Sequence, residues 1–148
     1  MSGETARPTR DERVEQLARA VKRWREKGAG DYWLSVSYMG PAVNRFGDHD
    51  LTVIDGALWH RWEGRWRRVV QGSDYWLFAV PFTLAWARDL LTAGEQAGDE
   101  LVLAFDDEFG YVKEMRFDAH SRDAKNFTFE VRRFGTGAHP EFEEPRSE

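Results

Sequence analysis

Few side chains in this sequence are equipped for chemistry. The chain has 148 residues, four histidines and no cysteine. Disulfides, thiolate metal sites and cysteine nucleophiles are therefore excluded. His60 is the best placed of the histidines. Within the segment Ala57 to Trp62 it alternates with Leu58 and Trp62 on what reads as the apolar side of a strand. An imidazole there has two readings. It lines a pocket as a base or ligand contact, with Trp62 beside it, or it is a core-edge histidine satisfied by one hydrogen bond. Carboxylates cluster at Asp48-His49-Asp50 and at Asp106-Asp107-Glu108. Ca²⁺ or Mg²⁺ would accept such oxygens. Neither run has the spacing of an EF-hand loop or a two-histidine metal motif, so solvated turns explain both and no metal or cofactor is expected. Nucleophile elbows, phosphate-binding glycine loops, zinc spacings and kinase motifs are all missing. The pattern favours a non-enzymatic protein, while carboxylate pairs assembled by folding keep catalysis open.

A second chemistry is recognition. Seven residues are Trp, and 17 of the 21 basic residues are Arg. Both types are enriched in interface hot spots, and a biased genome composition yields the same enrichment. They concentrate in the run Trp59-His60-Arg61-Trp62-Glu63-Gly64-Arg65-Trp66-Arg67-Arg68. With Glu63-Gly64 at a turn, Arg61 faces Trp66 and Trp59 faces Arg68, all on one side. Guanidinium groups then stack on indole faces. Such a ladder is either a docking surface for an acidic or aromatic protein partner, or a self-satisfied surface in which Arg stems cover the rings. The apolar run Tyr75-Trp76-Leu77-Phe78-Ala79-Val80 adds Tyr75 and Trp76 to the candidate partner-binding residues, with core packing as the plainer reading. The formal net charge of −5 disfavours nucleic acid. The leading expectation is a protein-binding module, with inhibitor or immunity proteins as a subclass. The rival is a small-ligand pocket or enzyme with its site near His60 and Trp62.

These residues need elements to position them. Thr9-Arg10-Asp11-Glu12 reads as a capping box, and Val14, Leu17, Ala18, Val21 and Trp24 form a helical stripe over residues 10 to 27. Strands are expected at 32–39, 49–54, 57–62 and 65–70, with a hairpin turn at Asp55-Gly56. Thr83 is a candidate cap for a second helix over 84–95, with a stripe of Leu84, Ala87, Leu90 and Leu91. Three more strands follow, carrying Leu101, Leu103 and Phe105, then Tyr111, Met115 and Phe117, then Phe127, Phe129 and Val131. Their other face holds Glu114, Arg116, Thr128, Glu130 and Arg132, read as opposite in sign across the pair. The expected organisation is a disordered N-terminus at 1–9, one α+β domain at 10–134 and an acidic, disordered tail at 135–148.

The expected fold is two helices packed on one face of an antiparallel sheet of six to seven strands. Ala29-Gly30-Asp31 and Ala97-Gly98-Asp99 each open a strand after a helix, which suggests a duplicated helix-plus-strands unit. Phe105-Asp106-Asp107-Glu108-Phe109-Gly110-Tyr111, followed by Met115 and Phe117-Asp118, resembles the signature of domain-of-unknown-function family 6174, a group of small bacterial α+β proteins. Trp24 to Tyr32, Val53-Ile54-Asp55-Gly56 and Phe127 to Phe134 are similar to other parts of its pattern. The family's function is not established, so the resemblance implies the fold over residues 14 to 134 and no catalytic residues. No apolar run reaches the length of a membrane helix, and Met1 to Asp11 is polar, so the chain reads as cytoplasmic.

Overall fold

The computed structural model describes residues 9–28, 30–41, 47–93, 100–118 and 126–145. Its first element, α1, spans Arg10–Lys27. The Thr9 hydroxyl accepts from the Glu12 amide at 3.1 Å, which stops the first turn from fraying. The buried stripe is Leu17, Ala20 and Trp24, with Val21 packed beside it. Val14 and Ala18, expected in that stripe, are exposed. Ala20 takes the place because another part of the backbone comes in close there. At Gly110 the chain has φ +85°, and a Cβ would collide with the Ala20 carbonyl.

Seven strands follow the expected order. They are β1 (Tyr32–Met39), β2 (Gly47–Ile54), β3 (Ala57–Trp62), β4 (Arg65–Arg68), β5 (Glu100–Phe105), β6 (Val112–Asp118) and β7 (Phe127–Thr136). All neighbours are antiparallel, in the order β4-β3-β2-β1-β7-β6-β5. The protein is thus α+β, with each half a helix followed by a meander, of four strands in the first and three in the second. Of the paired Ala-Gly-Asp signals, only Gly30 and Asp31 lie among the described residues. Residues 1–8 of the N-terminus expected to be disordered lie outside the described residues, as do Gly94 and Gly98, glycines at the expected end of the second helix. Asp31 has a visible role: its carboxylate accepts from the Asp55 amide at 2.9 Å and latches the β2–β3 turn. Among the described residues, no helix is long and apolar enough to cross a membrane.

The helices cover one face. Leu34, Val36, Tyr38, Leu51, Leu58, Met115 and Phe129 point into this layer and are at most 2 % exposed. Each such side chain is worth about 1.5–3 kcal/mol on burial, so this layer supplies the main drive to fold. The second helix, α2, spans Val80–Ala93, four residues earlier than expected. Thr83 is not its cap. That hydroxyl lies inside the helix and donates back to the Val80 carbonyl at 2.9 Å. Pro81 in the first turn needs no amide partner and presets the helical φ, which favours the early start. A 3₁₀ turn, Asp74–Phe78, leads into it, so the apolar run after Tyr75 divides. Phe78, Ala79 and Val80 enter the core, while Tyr75, Trp76 and Leu77 stay partly exposed. The Tyr32 hydroxyl reaches across from the sheet and accepts from the Val80 amide at 3.0 Å. Burial pushes that phenol up to about 12.

Two further expectations change. Glu114 sits opposite Glu130, so those strands place like charges together on the solvated face. The chain after 134 is also ordered into the fold: β7 continues to Thr136, and His139 is only 6 % exposed.

Gly72 supplies a control for the tight approach at Gly110. Both have φ +85°, but nothing lies within 4 Å of a Cβ at Gly72. Gly72→Ala should cost about 1 kcal/mol, the ordinary penalty for a side chain in that conformation. Gly110→Ala should cost at least twice as much in urea unfolding, because α1 must also move. Equal losses would show that the turn and α1 do not touch this closely.

Candidate functional site

The two-residue turns Asp55-Gly56 and Glu63-Gly64 have φ of 50° and 77°, then 52° and 77°. Positive φ at both positions gives the tight turn that matches strand twist. The register that follows places Leu51 opposite His60 and, as expected, Arg61 opposite Trp66 and Trp59 opposite Arg68. Because side chains alternate along a strand, the hairpin divides its residues between two faces. Trp59, Arg61, Trp66 and Arg68 belong to the outer face, away from the helices. His60 and Trp62 belong to the inner one.

The outer ladder is not a free surface. Residues 137–145 cross it as a strap. The Gly137 amide donates to the Asp31 carbonyl at 2.8 Å as the strap leaves β7. The His139 amide donates to the Thr52 hydroxyl at 3.1 Å, and that hydroxyl donates to the Tyr32 carbonyl at 3.1 Å. Arg61 Nη1 lies 2.9 Å from Glu141 Oε2 and 3.9 Å from Asp50 Oδ2. Trp66 Nε1 donates to the Glu141 carbonyl at 3.1 Å. Phe142 meets the edges of Trp59 at 5.3 Å and Trp66 at 5.4 Å. His139 packs between Trp33 at 4.8 Å and Trp66 at 5.1 Å. Trp66 is only 4 % exposed as a result.

The expected Arg–indole stacking exists at one rung, with the Arg61 guanidinium 5.9 Å from the Trp66 ring centre. Arg133 lies over Trp33 in the same way at 5.2 Å. Trp59 instead meets Phe142. The expectation of an exposed docking hairpin is therefore corrected: the ladder has the expected register but stacks at one rung, and the chain's own strap covers it. Tyr75 and Trp76, grouped with the ladder on sequence, lie elsewhere. Trp76 donates its indole N–H to the Val70 carbonyl at 3.1 Å and tilts against Phe82 at 5.7 Å.

Tyr75 joins the inner face. Its ring stacks on His60 at 4.2 Å and 19°. His60 Nε2 lies 3.0 Å from His49 Nδ1, and both imidazoles are 5 % exposed. One ring must donate and the other accept, so this contact fixes a tautomer pair. His49 was passed over on sequence as the centre of an acidic triplet. The signal was present nonetheless: with Leu51 opposite His60, His49 is the next residue on that face and a diagonal neighbour. The acidic runs serve as local structure. Asp106 Oδ2 accepts from the Phe109 amide at 2.7 Å, and Asp50 Oδ1 accepts from the Ser35 hydroxyl at 2.6 Å. Burial and then the Asp106 carboxylate push the Tyr111 phenol up to about 12. Among the described residues, no three His, Asp or Glu side chains converge as a metal site would require.

Comparison with known proteins adds no relative: no family model matches the chain, and no curated protein matches it either.

His139 makes the strap sensitive to pH. Burial lowers its pKa from the usual 6.5, helped by Arg61 and Arg133 and opposed by Asp50 and Glu141. Its Nδ1 accepts from the Glu141 amide at 3.0 Å, which suits the neutral ring. The unfolded chain therefore takes up a proton before the folded one does. Stability from this group is complete above 6.5 and is lost as pH falls below it toward the depressed folded value. Between about pH 7 and about pH 5, the wild type should lose more stability than His139→Gln does. Parallel stability–pH curves would contradict the assignment.

Proposed function

We propose that this protein is a non-enzymatic binding module. Its Trp/Arg sheet face takes an extended segment that presents a carboxylate followed by an aromatic ring. The observation that carries this reading is the grip on Glu141-Phe142. Arg61 takes the carboxylate, Trp66 takes the backbone carbonyl, and Trp59 and Trp66 take the ring. Charge, main chain and aromatic surface are read together, which is how peptide-binding surfaces obtain specificity.

The strap is then a ligand in cis. It follows directly on Thr136, so its local concentration is on the order of millimolar or higher, as for any short tether. A protein partner with a similar segment competes by making more contacts or by acting where the strap has loosened. Three indoles, Trp33, Trp59 and Trp66, would be uncovered when the strap leaves. That much aromatic surface favours rapid recapture by the strap or by a partner.

Weakening the strap should open the site. In full-length Glu141→Ala/Phe142→Ala, a labelled synthetic peptide of residues 137–145 should bind saturably, at least tenfold tighter than to the wild type. Adding Arg61→Ala should reverse most of that gain. The proposal fails if the double variant shows no saturable binding, or if Arg61→Ala changes nothing.

A further inference from the structure

The opposite side of the same hairpin holds a cleft that the strap does not touch. It has a volume of about 280 Å³, and its lining includes His60, Trp62, Arg67, Arg68, Ser73 and Tyr75. Register explains how these residues meet. His60 faces Arg67 across β3 and β4, and Trp62 is the next inner-face residue on β3. The backbone stays attached beyond β4, with the Val69 amide donating to the Leu58 carbonyl at 2.8 Å. The chain then returns through Ser73, so that Tyr75 closes the side against His60.

The chemistry of the lining is one-sided. One guanidinium belongs to this face, that of Arg67, and no carboxylate lines the cleft. Among the described residues, Arg67 has no ion pair, whereas Arg61, Arg88 and Arg132 all do. The Arg67 guanidinium offers a planar donor fork that suits a carboxylate. Trp62 and Tyr75 offer flat apolar walls. The His60 ring is locked on two sides, by His49 at 3.0 Å and by the Tyr75 stack, so the wall it belongs to is preformed. A preformed site loses little ordering entropy on binding. The volume suits a ligand of one or two fused rings, below the range usual for drug-sized molecules.

We infer that this cleft binds a small planar aromatic carboxylate, its ring against Trp62 and Tyr75 and its acid group on Arg67. The site is independent of the peptide face, because alternate residues of one hairpin serve the two.

The test uses the full chain with 2-naphthoate as probe and the neutral 2-naphthamide as control, followed through the indole N–H signals in NMR. Titration with 2-naphthoate should shift the Trp62 signal saturably and leave Trp66 in place. The amide should bind at least tenfold more weakly. Arg67→Gln, at an exposed position, should keep the fold and lose at least tenfold in affinity for the acid. The inference is overturned if the amide binds as well as the acid, or if Arg67→Gln retains full affinity. It is equally overturned if no saturable shift occurs, or if the shifts fall on Trp59 and Trp66 instead.

Discussion

At Asp55-Gly56 and again at Glu63-Gly64, the chain turns through two residues of positive φ. Such turns leave no slack, so they fix which residues of β2, β3 and β4 stand opposite each other. Everything proposed for this protein depends on that register. A slip of one residue in β4 would send Trp66 and Arg68 to the helix side and Arg67 to the strap side. The outer face would lose its grip on Glu141, and the inner cleft would lose its cation. The hairpin therefore works as a two-sided part. Its inner side completes a pocket with the 3₁₀ turn, and its outer side receives the strap.

The two sides differ in how they are held. The inner side belongs to the main core, where Leu58 and Leu51 are fully buried and the His49–His60 contact sits at the edge. The outer side has no helix over it. Its cover is a short strap held by side-chain contacts and isolated hydrogen bonds. None of these is a continuous ladder of backbone pairs. Such a cover can open without unfolding the sheet beneath, since local stability follows local burial and bonding. Arg61 is the central residue of this arrangement. It stands between Asp50 and Glu141 and lies over Trp66, so it satisfies charge on the sheet whether the strap is present or replaced.

Much of this was legible in the sequence, for identifiable reasons. Alternation in Tyr32 to Met39 and the two turn dipeptides were enough to place β1 to β4 and their register. The Trp/Arg ladder and the position of His60 followed from that register alone. Other features depend on contacts distant in sequence. Tyr32 caps α2 from 48 residues away, so apart from Pro81 the residues near Val80 gave no sign of where that helix begins. The strap was hidden for a different reason. Residues after Gly135 are acidic and contain proline, the composition of a disordered tail. Two aromatic residues, His139 and Phe142, pack it on the sheet, and Glu141 pairs with Arg61. Three tryptophans on an otherwise polar face were the available hint that something had to cover them.

Solvent exchange of the Trp66 indole N–H, compared with the β1 core amides across low urea concentrations, tests the central claim most directly. That indole hydrogen is bonded to the Glu141 carbonyl and is released when the strap lifts. If the strap is a displaceable cover, Trp66 should exchange faster than the core amides and with little dependence on urea, the mark of a local opening. If Trp66 exchanges at the core rate with the full urea dependence of global unfolding, the ladder is never available in the folded protein. The binding account would then be wrong.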